Sequence, residues 1–165
     1  MKSENKDSSI NFNDAVDYVL KKLQKNKIAV LASCGADMRV SARSMSIVNR
    51  GLEIWFQTDS RFKKNRQMDE NPFVALCLEN IQIEGRVEKT GHSLDPENKF
   101  FCDEFELHHP GSYKAYTLSR DEVIYRVIAE QITLWRYDKG QSYRDFIDVQ
   151  NRLAVREYYV VEPLS

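Results

Sequence analysis

Apolar residues recur along this chain with two different periods. Between Asn11 and Lys25, Ala15, Val16, Val19, Leu20 and Leu23 share one face of a 3.6-residue repeat. That spacing predicts an amphipathic helix capped by Asn11 or Asn13 and ended by Lys25-Asn26-Lys27. Beyond it, strand-like runs dominate. Residues 28–33 are a continuous apolar run of strand length, Gly35-Ala36-Asp37 turns the chain, and residues 38–48 read as the next strand. Asn49-Arg50-Gly51 predicts a turn into a strand over 52–58, so that these two runs form a hairpin. Asp59-Ser60 stands where it could cap a short helix carrying Arg61, Lys63, Lys64 and Arg66, closed by Asn71-Pro72. Residues 73–79 and 81–88 predict a second hairpin. In its second strand Ile81, Ile83 and Gly85 alternate with Gln82, Glu84 and Arg86, which leaves one face wet or functional.

Further on, Asp95-Pro96 opens a helix anchored by Phe100, Phe101 and Phe105 and stopped by His108-His109-Pro110-Gly111. Residues 113–120 read as a loop. Two strands are predicted over 123–129 and 131–137, with Ile132 and Leu134 facing one way and Thr133, Trp135 and Tyr137 the other. In the tail, residues 143–153 read as a helix and 157–161 as a final short strand. Residues 1–10 are polar and are expected to fray, and residues 11–165 form one domain with no internal repeat. Short spacings between strands favour antiparallel neighbours. The expected class is therefore mainly β with flanking helices, in a barrel or sandwich.

Composition narrows the function classes. With 165 residues, 42% hydrophobic, the chain is long enough to bury a core. A formal net charge of -1 provides no basic field for nucleic acid. Cys34, Cys77 and Cys102 are odd in number and widely spaced, which fits a reducing cytoplasm, and no run is apolar for a membrane-spanning length. No Gly-x-Ser-x-Gly, Cys-x-x-Cys or Gly-x-x-x-x-Gly-Lys motif occurs, so hydrolase and kinase readings lose their footing. Adjacent His108 and His109 lack the one-face spacing of a helical zinc pair, and no metal site is expected. Arg43 is different. It lies in a strand of small and apolar residues, where burying a guanidinium without a partner is costly.

Five segments in order, Arg43-Ser44-Met45-Ser46, Phe56-Gln57-Thr58, Ser60-Arg61-Phe62-Lys63-Lys64, 71–76 and 82–87, resemble the FMN-binding split-barrel family of pyridoxamine 5'-phosphate oxidases and related general stress proteins. The resemblance implies a six-stranded antiparallel split barrel, used as a homodimer with FMN at the subunit interface. It places Arg43, Lys63 and Lys64 on the flavin phosphate, and Ser44, Met45, Ser46, Gln57 and Thr58 along the ring. Either Asn80 or Gln82 would reach the flavin, with Gln82 preferred for its position relative to Glu84-Gly85. Trp135, with Arg136, would approach from the other subunit. Tyr113, Tyr116, Trp135 and the His108-His109 loop would shape the substrate side.

Two segments depart from the oxidases. In His108-His109-Pro110-Gly111-Ser112 a His stands where those enzymes place an Arg, and Arg152-Leu153-Ala154-Val155-Arg156 lacks the His and Asp of their Arg-Leu-His-Asp-Arg tail. The expectation is thus an FMN-dependent oxidoreductase acting on a small-molecule electron donor or acceptor, and not a true pyridoxamine-phosphate oxidase. The alternative is a non-catalytic flavin- or haem-binding barrel, with the His108-His109 pair offering an axial imidazole. A deazaflavin is a third ligand open to such a barrel.

Overall fold

A computed structural model describes residues 8–159. Helix α1 (Phe12–Lys25) starts at Asn11, whose side chain accepts from the Asp14 amide, and buries Ala15, Val19 and Leu23. Strands β2 (Ile28–Cys34) and β3 (Val40–Ser46) follow, then β4 (Val48–Arg50), β5 (Glu53–Asp59), α2 (Lys63–Glu70), β6 (Phe73–Leu78) and β7 (Ile81–Gly91). Helix α3 (Lys99–His108) precedes the long β8 (Glu122–Asp138), β9 (Gln141–Asp148) and β10 (Leu153–Tyr159), with β1 (Ser8–Ser9) laid antiparallel on β10. The architecture is the antiparallel split barrel. It has ten strands among the described residues; the expected six are β2, β3, β5, β6, β7 and β8, to which the short β1 and β4 and the tail strands β9 and β10 are added. No described helix is long and apolar enough to cross a membrane.

The barrel splits at β8. One edge of this strand pairs with β7 along most of its length. Its other edge pairs first with β5, through residues 122–128, and then with β9, through residues 131–138. The change of partner falls at Glu130, where the register against β7 slips between Glu84 and Gly85. Gly85 is required there, because a Cβ would lie 2.2 Å from the Ile128 carbonyl oxygen. The inner faces of the barrel strands bury Leu31, Phe56, Leu76, Ile83, Val127 and Ile132 under α1. A second cluster packs α3 against the sheet through Val48, Trp55, Phe101, Phe105 and Ile124.

Several local expectations are corrected. Residues 38–48 do not form a hairpin with 52–58: β3 pairs with β2 instead, the buried Ile47 interrupts the strand, and only β4 turns back on β5. Helix α2 begins at Lys63 behind Phe62, because Asp59 is engaged with Arg61 rather than capping the helix. The two strands over 123–137 are one, bulged and unbroken. Residues 113–117 form a π-helical turn rather than a loop. Residues 143–153, expected as helix, are instead the end of β9, the turn over 149–152 and the first residue of β10. Ser8 and Ser9 are paired rather than frayed; the rest of the expected fraying, residues 1–7, and the end of the final strand, 160–161, lie outside the described residues.

Candidate functional site

Strand β3 ends the sheet, with β2 on one side only among the described residues. Strand β5 loses β4 after Trp55, so that Phe56–Asp59 also present a free edge. The two edges come alongside each other. Ser44, Met45 and Ser46 lie on one of these edges and Gln57 and Thr58 on the other, and main-chain groups that such edges leave unpaired are open to a ligand. The Gln57 side chain is committed within the protein, since its Oε1 accepts from the buried Thr117 hydroxyl at 2.7 Å. Thr58 is not: its hydroxyl is buried and finds no partner among the described residues.

Cations lie beside the β3 edge. Arg43 donates to the Leu31 carbonyl at 3.2 Å, to the Ser33 hydroxyl at 2.7 Å and to Gln67 Oε1 at 3.5 Å. All three acceptors are neutral, and burial lowers the Arg43 pKa with no opposing charge to restore it. A half-buried guanidinium held open this way is a ready anion partner. Lys64, in the first turn of α2, lies near enough to Arg43 to feel its charge: burial first and Arg43 second lower the Lys64 pKa, against the pull of Glu122 and Asp59. No side chain among the described residues caps the α2 N-terminus, so its amides add to the positive end. Lys63 points elsewhere, exposed beside Ser60, Arg61 and Arg66 on the outer side of the helix.

The scaffold behind these groups comes from residues that sequence reading did not single out. Buried Gln67 takes bonds at 2.9 Å from Ser33 and Ser41 and donates to the Arg39 carbonyl, locking α2 to β2 and β3. Buried Asn65 donates to the Asp59 carbonyl at 2.6 Å and accepts from the Tyr125 hydroxyl at 2.8 Å, locking α2 to β5 and β8. A polar residue facing inward from a charge-rich helix leaves no local signal, because periodicity records apolar positions only.

Gln82 and Trp135 are not brought to Arg43. They line a depression of about 280 Å3 with Cys77, Asn80, Thr133 and Arg144. Cross-strand register runs Ser44, Val30, Cys77, Gln82, so Gln82 stands three strand spacings from β3, roughly 14 Å. Arg144, the cross-strand neighbour of Trp135, lies 4.2 Å from its ring centroid and 5.2 Å from that of Tyr159. Asn80 is spent on structure, donating to the Trp135 carbonyl at 2.7 Å. Between the two groups the outer sheet face carries exposed Ile28, Val30, Val40 and Phe73, beside an open groove of about 450 Å3.

On the α3 side, His108 is 3.4 Å from Glu104, and His109 Nε2 is 3.0 Å from the Ile47 carbonyl with its ring against Phe105. Tyr113 packs on the second core cluster, while Tyr116 is exposed. Among the described residues no three His, Cys, Asp or Glu side chains are placed to hold a metal ion.

Comparison with known proteins agrees with the fold. Residues 15–136 match the family model described as pyridoxamine 5'-phosphate oxidase. The pyridoxine/pyridoxamine 5'-phosphate oxidase of Ehrlichia ruminantium (strain Welgevonden) is 34% identical over 95 residues, covering 53% of this chain and 47% of that one. The chain thus spans about half the length of the curated relative it matches. A pyridoxamine 5'-phosphate oxidase-related, FMN binding protein from Nostoc punctiforme PCC 73102 superposes with a TM-score of 0.62 at 13% identity, covering 93% of this chain and 98% of that one. HutZ, the heme storage protein from Vibrio cholerae, gives 0.64 at 12% identity over 72% of this chain and 92% of that one. Likeness at such identities is one of fold.

Proposed function

The chain belongs to the pyridoxamine 5'-phosphate oxidase family, and on that premise we propose that it is an FMN-dependent oxidoreductase working as a homodimer. The observation that carries the reading is the Arg43 guanidinium, half-buried on neutral acceptors only, beside Lys64 and the uncapped start of α2. These groups, with the unpartnered Thr58 hydroxyl, suit a phosphate dianion. The free edges of β3 and β5 would hold the polar rim of the ring through Ser44, Met45, Ser46, Gln57 and Thr58. Lys63 has a lesser part, through its backbone at the helix start.

Gln82 projects from the outer sheet face between buried Ile81 and Ile83, with Trp135 and Arg144 beside it, whereas Arg43 is held under α2 by Ser33 and Gln67. Gln82, Trp135 and Arg144 would complete the site of a second copy, docked through the apolar outer sheet face around Val30 and Phe73. When bound, the flavin supplies a ring that takes a hydride from a small-molecule donor and passes electrons on. The protein's own part is to hold the phosphate, align the ring edge and keep water from it. The His at position 108 in place of an Arg argues for a substrate other than pyridoxamine phosphate. Three free cysteines, Cys77 exposed among them, suit a reducing cytoplasm.

The test is a fluorescence titration of the purified protein with FMN, followed by sedimentation. Saturation at one flavin per subunit, in a dimer that Val30→Lys dissociates, is the expected result. A haem absorption band on the protein as purified, or no quenching of flavin, would overturn it and favour the haem-binding alternative or another ligand such as a deazaflavin.

A further inference from the structure

An acidic side chain lies under the start of α2, beside these cations. Glu122 opens β8, is 8% exposed, and pairs across the sheet with Asp59 at the end of β5. The groups that face it come from three elements. Asn65 of α2 donates to the Asp59 carbonyl at 2.6 Å, which seats the start of that helix over the Asp59–Glu122 pair; Asp59 of β5 repels the Glu122 charge, while Lys64 of α2 and His92, after β7, favour it. Asp59 itself stays ionised, because Arg61 bonds it from two residues away and holds its carboxyl at about 2. Burial is the largest influence on Glu122 and lifts its carboxyl from 4.5 to about 7. A buried carboxyl whose strongest attraction is Lys64 competes with any anion that needs the same ammonium.

We propose that Glu122 is a positioning residue for the ligand phosphate, acting through Lys64: it gives up its charge when a dianionic phosphate enters, so that binding takes up a proton. This rests on the flavin-phosphate reading of the Arg43–Lys64 pocket. With the pocket empty, ionised Glu122 offsets the charge of half-buried Lys64 across a short gap rather than through a direct ion pair. With phosphate present, the carboxylate would face two further negative charges in the same low-dielectric space, and its proton becomes the cheaper partner. The pocket is thereby matched to a phosphate ester and set against ligands that leave Lys64 uncovered.

The experiment titrates FMN and riboflavin, which lacks the phosphate, into wild type and Glu122→Gln between about pH 6.5 and about 8.5, where the phosphate is mainly dianionic. Wild type should lose FMN affinity as pH rises, roughly tenfold for each unit by which bound phosphate raises the Glu122 pKa. The Gln variant should give a flat FMN profile, and riboflavin should show no fall with either protein. Calorimetry of wild type in two buffers of different ionisation enthalpy should record net proton uptake; any residual monoanionic FMN would release protons, the opposite sign. A flat wild-type profile, an equal fall in the variant or with riboflavin, or no uptake would overturn the role of Glu122 while leaving the flavin reading intact. Absence of FMN binding to wild type at every pH would overturn both.

Discussion

Replacing Arg43 by Met separates binding from stability. The aliphatic stem and most of the volume are kept, while the guanidinium and its three bonds to Leu31, Ser33 and Gln67 go. In the ligand-free protein those bonds reach neutral acceptors, and the Ser33 hydroxyl keeps its own 2.9 Å bond to Gln67. Their loss is offset by relief of the desolvation that already depresses the Arg43 pKa. The change in unfolding free energy should stay within about 1 kcal/mol of zero, of either sign. A bound phosphate, by contrast, loses a charge-assisted contact of about 1.5 to 3 kcal/mol, which is roughly 10- to 150-fold in Kd. Urea unfolding without flavin and fluorescence titration with FMN measure the two quantities on the same preparation. An FMN Kd within about threefold of wild type would refute the phosphate assignment. A destabilisation above about 3 kcal/mol would show instead that Arg43 serves the fold.

Three further outcomes are expected. Gly85→Ala should destabilise the protein by at least about 2 kcal/mol in denaturant, because the new Cβ meets the Ile128 carbonyl where β8 changes partner; an unchanged midpoint would refute the tight crossing. Tyr125→Phe keeps the ring stack on Phe56 but strips Asn65 Oδ1 of its 2.8 Å donor. It should cost about 1 to 2 kcal/mol of stability and weaken FMN binding by loosening α2, which urea unfolding and titration would each show. Without ligand, the unfolded chain ionises Glu122 near 4.5 and the folded chain near 7. Its contribution to stability therefore falls as pH rises between those values, and thermal melts of wild type should decline more steeply there than those of Glu122→Gln.

The sequence announces what depends on near neighbours. Helix α1, the strand Ile28–Cys34 and the pair β6–β7 follow from period and turn residues alone. The tail misleads because Tyr143, Asp145 and Ile147 all face inward. Buried Asp145, held by Arg156 at 2.6 and 2.9 Å, removes one apolar beat from the period-two signal. Ala129-Glu130-Gln131 looks like a break between strands because a bulge and a turn share polar residues. Only the partners on either side distinguish them. Arg43 was legible as a charge out of place, whereas Gln67, Asn65 and Glu122 look like ordinary surface polar residues. Their burial follows from how α2 lies across β2, β5 and β8.

The placement of Gln82 on the outer sheet face, with Arg43 turned under α2, has a consequence for how such a protein would fill. A flavin that needs both groups is held by two chains at once, so occupancy depends on protein concentration as well as on free flavin. Dilution would empty the site without any change in its residues. Excess flavin would draw separated chains back together, and the colour of the solution would then serve as a gauge of assembly.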